Sequence, residues 1–258
     1  MRPLSLPERG VCSPTVSLQG LLSGDRAGLS GECALTLEAY TDLIVASGFP
    51  GLQHLDGANL RIQLDSYIAR IVDADMESES GRAIRMPSTV MAWLRSYAAA
   101  TATTMSWEKI RDTAHPGKPP ARSTAIPYRD ILTRLRILDA VEPWTPGNNH
   151  MKTMSQVPKH HLADPALAAR LVGLEKGALL DGAGPSSTPS ADPFLGQLFE
   201  SLVALSLRVF VGTSGATVQH LRTHRGTHEI DYIVKRGDGK VVAIEVKLSP
   251  NVDDKSVR

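Results

Sequence analysis

Asp231, Glu245 and Lys247 have the make-up of a site for a hard divalent cation. They sit in the stretch EIDYIVKRGDGKVVAIEVK, residues 229–247. Alternating apolar residues, Ile230, Tyr232 and Val234, then Val242, Ile244 and Val246, flank Gly237-Asp238-Gly239, the pattern of two strands joined by a glycine turn. A three-residue loop centred on Asp238 sets residues whose numbers sum to 476 opposite one another, so Asp231 faces Glu245, and Lys247 shares that face. A loop one residue longer would put Glu245 on the other face. Two opposed carboxylates repel, and a Mg²⁺ ion held by carboxylates and waters would satisfy them, with the lysine orienting or activating a water. The bland reading of the same residues is a solvated strand face with a cross-strand ion pair.

A further acid comes from the preceding element. Asp192 at the N-cap with Pro193 at the first position predicts a helix whose residues Phe194, Leu195, Leu198, Phe199, Leu202, Val203 and Leu205 are broadly buried. Glu200 lies among them, where a carboxylate is costly unless paired or close to a metal, so Glu200 joins Asp231 and Glu245 as an expected metal ligand. ATVQHLRT reads as a strand between this helix and the hairpin. His224 and His228 have a zinc-like spacing with no cysteine pair beside them, and read as ordinary strand or turn residues.

The rest of the chain must position these groups. Its 258 residues, 42% hydrophobic, are enough for two or three compact units. The apolar run from Phe194 to Val211 is interrupted by Gln197, Glu200 and Arg208, which argues against a membrane span. Two early cysteines, Cys12 and Cys33, without metal spacing, and an N-terminus without an apolar signal region point to the cytoplasm. Residues 1–81 hold 5 Lys/Arg against 11 Asp/Glu, and residues 82–161 hold 12 against 5. A basic middle segment suits a polyanion such as DNA, or a surface that docks the acidic first segment. The chain has no G-x-x-x-x-G-K-[ST], so no phosphate-cradling loop for ATP is read in it.

Residues 1–34 read as a loop-rich segment and 35–81 as a small helical unit, with one helix ending at Gly48 and another carrying Leu60, Leu64, Tyr67, Ile68 and Ile71 on one stripe. Between 82 and 172 the order is helix, helix, helix, hairpin. Val90, Trp93, Leu94, Tyr97 and Ala98 form one apolar face, Ser106 caps a second helix, and Thr124 caps a third that places Pro127 at its third position. ILDAVEPW and HMKTMSQV around Pro146-Gly147-Asn148-Asn149 then make a β-ribbon. Three helices and a ribbon describe a winged helix, with Arg122, Arg129 and Arg134 facing DNA, or a winged helix used only for packing. Residues 173–191 read as a linker and 192–258 as the unit carrying the acids.

Asp-x13-Glu-x-Lys resembles the metal site of PD-(D/E)xK nucleases. Taken with Gly48-Phe49-Pro50, the Tyr67-to-Asp75 helix, the segment from Thr124 to Leu138, Pro158-Lys159 followed by Asp164, Gly196-x3-Glu200 and Glu229-x-Asp231, the chain from Leu35 to Lys247 resembles AAA+ type ATPases that end in the domain of unknown function numbered 4143. The resemblance implies an α+β protein. Its mainly helical first half would hold an ATPase-lid remnant and a winged helix, followed by a truncated nuclease-like α/β domain with Glu200, Asp231, Glu245 and Lys247 at the matching positions. The function expected is a DNA-associated protein, a Mg²⁺-dependent phosphodiesterase if active, with Asp231, Glu245 and Lys247 catalytic. The alternatives are a non-catalytic, antitoxin-like regulator that binds DNA or protein, or a piece of a longer ATPase. An ATPase subunit is among the partners implied.

Overall fold

The computed structural model describes residues 2–26, 29–81, 83–84, 86–115, 117, 119–146, 156–185, 193–223 and 228–248. The described residues are α+β, helical in the first part, with a four-stranded mixed sheet in the last. Two hydrophobic cores are present, a larger one among the helices and a smaller one under the sheet.

Helix α1, Leu18–Ser23, is capped by Ser17 Oγ, which accepts from Gly20 N–H, and buries Leu22 in the smaller core. The loop-rich segment expected at 1–34 therefore carries a helical turn, anchored by a side chain whose burial contributes roughly 1.5–3 kcal/mol. Helix α2, Leu37–Val45, starts at Thr36, whose Oγ1 accepts from Ala39 N–H. It stops short of Gly48 because Ser47 takes a left-handed φ of 67°. The Gly48 carbonyl accepts from Leu4 N–H at 2.7 Å, and a Cβ on Gly48 would lie 2.7 Å from Leu4 O, so only glycine fits this close approach.

Helix α3, Gly57–Arg70, buries the expected Leu60, Leu64 and Ile68. The helix then widens into a π turn over Ile71–Asp75 before α4, Met76–Ser80. Inserting this wider turn rotates the stripe so that Ile71, Val72 and Met76 all stay inside. Helix α5, Pro87–Ala99, buries Val90, Trp93, Leu94, Tyr97 and Ala98, and α6, Trp107–Ala114, is capped by Ser106. Trp93, Tyr97 and Trp107 stack at 5.6–6.4 Å between ring centres, with His160 set edge-on to Tyr97 and Trp107.

Helix α7, Arg122–Arg134, corrects the expected start at Thr124. It begins three residues earlier, with Ala121 at the cap in place of Thr124, and carries Pro127 inside. The proline leaves the Ser123 carbonyl without its intrahelical donor, and both residues are exposed, so water can serve that carbonyl. Ile131 and Leu132 point inward as expected. After α7 the segment 138–143 runs antiparallel to 159–162 through the bridges Leu138–Leu162 and Val141–Lys159. The tip of the expected ribbon, 147–155, lies outside the described residues.

Asp164 caps α8, Pro165–Val172, by accepting from Ala166 N–H at 2.8 Å. Its other oxygen takes Ser47 Oγ at 2.8 Å and Gly48 N at 2.7 Å, tying the α2 corner to α8. The stretch expected as a linker holds a further turn, α9, Lys176–Leu180, with Leu179 buried. Helix α10, Phe194–Phe210, follows Pro193, which takes the cap position in place of the first helical one; Asp192 lies outside the described residues. Phe194, Leu195, Leu198 and Leu202 enter the larger core, and Ala204 and Leu207 the smaller. Phe194–Thr213 is long and apolar enough to cross a membrane by length and composition alone, yet most of it is buried within the fold.

The sheet order is β1-β2-β3-β4, with β2 Ala216–Arg222, β3 Glu229–Arg236 and β4 Val241–Ile244 antiparallel, and β1, Glu142–Pro143, joined parallel to β2. The hairpin keeps the predicted register, with Tyr232 opposite Ile244 and Val234 opposite Val242. Arg236 N–H donates to Lys240 O across a three-residue loop in which Gly239 has φ 86°. Strand β1 was not expected in this sheet.

A candidate ion-paired acidic site

A β-bulge builds the site. Gln219 pairs with Ile233 and Leu221 with Ile230, so two residues of β3, Asp231 and Tyr232, stand opposite His220 alone. Such an extra residue breaks strict alternation and re-aims a side chain. Tyr232 O–H donates to the Glu200 carbonyl at 2.9 Å, and Asp231 turns toward the same group of residues. Asp231 Oδ2 accepts from Val246 N–H at 2.8 Å, taking the donor that a continued ladder would give to Ile230, and β4 stops at Ile244.

At the centre is Lys159. Its backbone exchanges two hydrogen bonds with Val141, and its side chain is 1% exposed. The ammonium lies 2.7 Å from Glu200 Oε1, 3.0 Å from Asp231 Oδ1 and 3.4 Å from Glu229 Oε1, and 5.7 Å from the centre of the Tyr232 ring. Burial alone would lower the lysine's pKa; the carboxylates of Glu200, Asp231 and Glu229 outweigh it and raise it, so Lys159 is charged. Burial pushes Glu200 up to about 7, against the pull of Lys159 and with the help of Asp231. Lys159 is shared by three carboxylates, of which Glu229 also lies 3.7 Å from Arg222, and burial keeps Glu200 protonated part of the time near neutral pH. Around this group are buried histidines: burial lowers His160 and His220 to about 4 each, and holds His161, whose Nε2 is 3.3 Å from Tyr232 Oη, well below its ordinary value.

Of the four residues expected in one site, the structure brings Glu200 and Asp231 together on Lys159. Glu245 and Lys247 pair with each other, at 2.8 Å and partly exposed. Sequence reading missed Lys159 and Glu229 as members. The signal for Lys159 was Glu200 itself, since a carboxylate on so apolar a helix needs a cation, and Lys159 stands just before the apolar Leu162-Ala163.

The donor set of two or three carboxylates suits Mg²⁺, but the point on which Glu200 and Asp231 converge holds an ammonium, and Asp231's second oxygen is taken by a backbone N–H. As arranged, these residues do not fit a metal ion. Among the described residues no group of three or more His, Cys, Asp or Glu is placed to hold one.

The arginines expected to face DNA lie on or beside α7, each near an acid. Arg122 is 3.4 Å from Glu108, Arg129 is 2.8 Å from Asp130 with its guanidinium 5.2 Å from the Trp107 ring centre, and Arg134 is 2.7 Å from Glu79. Arg129 and Arg134 also line, with Arg136, Arg208 and the acids Asp130, Asp139 and Glu142, a cleft of about 680 Å³. These are surface pairs of small individual worth, so phosphates can compete for the same guanidinium groups.

Residues 37–178 match the family model described as Domain of unknown function (DUF8612), and residues 195–258 match Domain of unknown function (DUF4143). The likeness to the domain numbered 4143 is thus found in the C-terminal part, while the stretch before it falls to a different family. No curated protein and no solved structure matches the chain.

Proposed function

The chain belongs to the DUF8612 family, whose model spans residues 37–178, and from that premise we propose that it is a DNA-binding module with a non-catalytic, nuclease-like C-terminal unit. In this reading α5, α6, α7 and the segment around β1 act as a winged helix, with Arg122, Arg129 and Arg134 on phosphates. The C-terminal unit keeps the acidic residues of a PD-(D/E)xK-like site as a structural ion-pair centre. The observation that carries the reading is Lys159, whose ammonium sits where Glu200 and Asp231 meet. Two free thiols suit the cytoplasm, and the likeness to AAA+ chain ends supports an ATPase subunit as a protein partner.

The test combines binding and cleavage. Fluorescence anisotropy on a DNA duplex across a salt series should show binding that weakens in Arg129→Ala and Arg134→Ala, each lowering the log–log salt slope by about 1. Calorimetry with Mg²⁺ should give no heat, and plasmid incubated with Mg²⁺ should stay supercoiled. Nicking by the wild type that is lost in Asp231→Ala would instead establish the Mg²⁺-dependent phosphodiesterase, and absence of DNA binding would leave the protein-binding regulator.

A further inference from the structure

The chain's two cysteines line one cleft of about 490 Å³ together with Thr15, Leu35 and Tyr40. The segments that carry them run side by side: a Cβ built on Gly31 would overlap the Thr15 side chain. Cys33 is exposed and Cys12 half-buried, and both are free thiols. Hydrogen bonds from the Leu35 backbone and the Tyr40 hydroxyl favour the Cys33 thiolate and lower its pKa. Burial, then the charge of Cys33, raises Cys12. Tyr40, pushed up to about 12 chiefly by burial, stays protonated as a donor.

We propose that Cys33 and Cys12 are a redox-active dithiol that closes to an intramolecular disulfide, with Cys33 attacking and Cys12 resolving. The oxidant is a small disulfide such as oxidised glutathione. The Cys33 thiolate attacks one of its sulfurs, forming a mixed disulfide and releasing one thiolate. Cys12 then gives up its proton and attacks the Cys33 sulfur, forming the internal disulfide and releasing the second. The two protein thiols lose two electrons, and the small disulfide is reduced to two thiols. The ring so closed contains α1, whose Leu22 is seated under the sheet, so oxidation fastens that helix to the fold.

The full-length protein titrated with oxidised glutathione should lose both thiols together and two hydrogens in mass, remain a single chain under non-reducing conditions, and melt several degrees higher. Cys12→Ser should stop at a stable glutathione adduct on Cys33, and Cys33→Ser should react at least tenfold more slowly than wild type. Persistence of both thiols, separate adducts on each, bridging between two chains, or closure as fast in the urea-unfolded chain as in the folded one overturns the proposal. Equal rates in Cys33→Ser and wild type overturn the assignment of Cys33 as attacker.

Discussion

Lys159 concentrates more consequence than any other side chain described. Truncating it strands Glu200 and Asp231 without a counter-charge in a place that water barely reaches, which costs about 3–5 kcal/mol. Urea unfolding of Lys159→Met should show that loss, and Lys159→Met combined with Glu200→Gln should recover part of it, with a coupling of about 1–3 kcal/mol. Glu200→Gln alone carries a pH signature. Glu200 is raised from its ordinary value to about 7, so its contribution to stability is greatest below about 4.5 and is lost as pH rises through 7, worth roughly 3 kcal/mol. His160 and His220 are lowered to about 4, so their contribution is present above about 6.5 and is lost as pH falls toward 4. The two slopes oppose each other between pH 4.5 and 6.5. Melting temperatures of Glu200→Gln across that window should fall more steeply toward acid than those of the wild type; parallel curves would show that Glu200 titrates normally.

At the scale of elements, the sequence was legible where one element's own residues decide the outcome. The β3–β4 loop, with its glycines, fixed the hairpin register, and the stripes of α3 and α5 named their buried faces correctly. It failed where a second element intervenes. The bulge is a property of β3 against β2, with His220 on the far side of the pairing, and nothing in the residues of the hairpin alone announces it. For the same reason Lys159 stayed hidden: it comes from a segment 41 residues before Glu200 and meets it only once β1 has joined the sheet. Helix α7 failed differently, because proline chemistry argued for a later start than the chain adopts. Pro127→Ala restores a donor to the Ser123 carbonyl on an exposed face, and should stabilise the protein by about 1–2 kcal/mol in urea unfolding.

Across the whole molecule, the segments matched by the two family models are not separate bodies. Helix α10 belongs to both cores, β1 lends an edge to β2, and Lys159 reaches across to Glu200 and Asp231. A polypeptide ending after α9 would expose the apolar seat of α10, and one starting at α10 would lose β1 and the ammonium. Expressed singly, each should form aggregates, whereas co-expressed they should purify as a stoichiometric complex; a monodisperse, cooperatively melting C-terminal half on its own would contradict this.

Strand β1 has a last implication. It is two residues long, and it makes the sheet a joint product of stretches that match different family models. Transplanting the C-terminal portion onto another protein would leave one flank of β2 bare unless a replacement for Glu142–Pro143 travelled with it, so the seam at which such chimaeras are engineered should fall before β1, near Ile137.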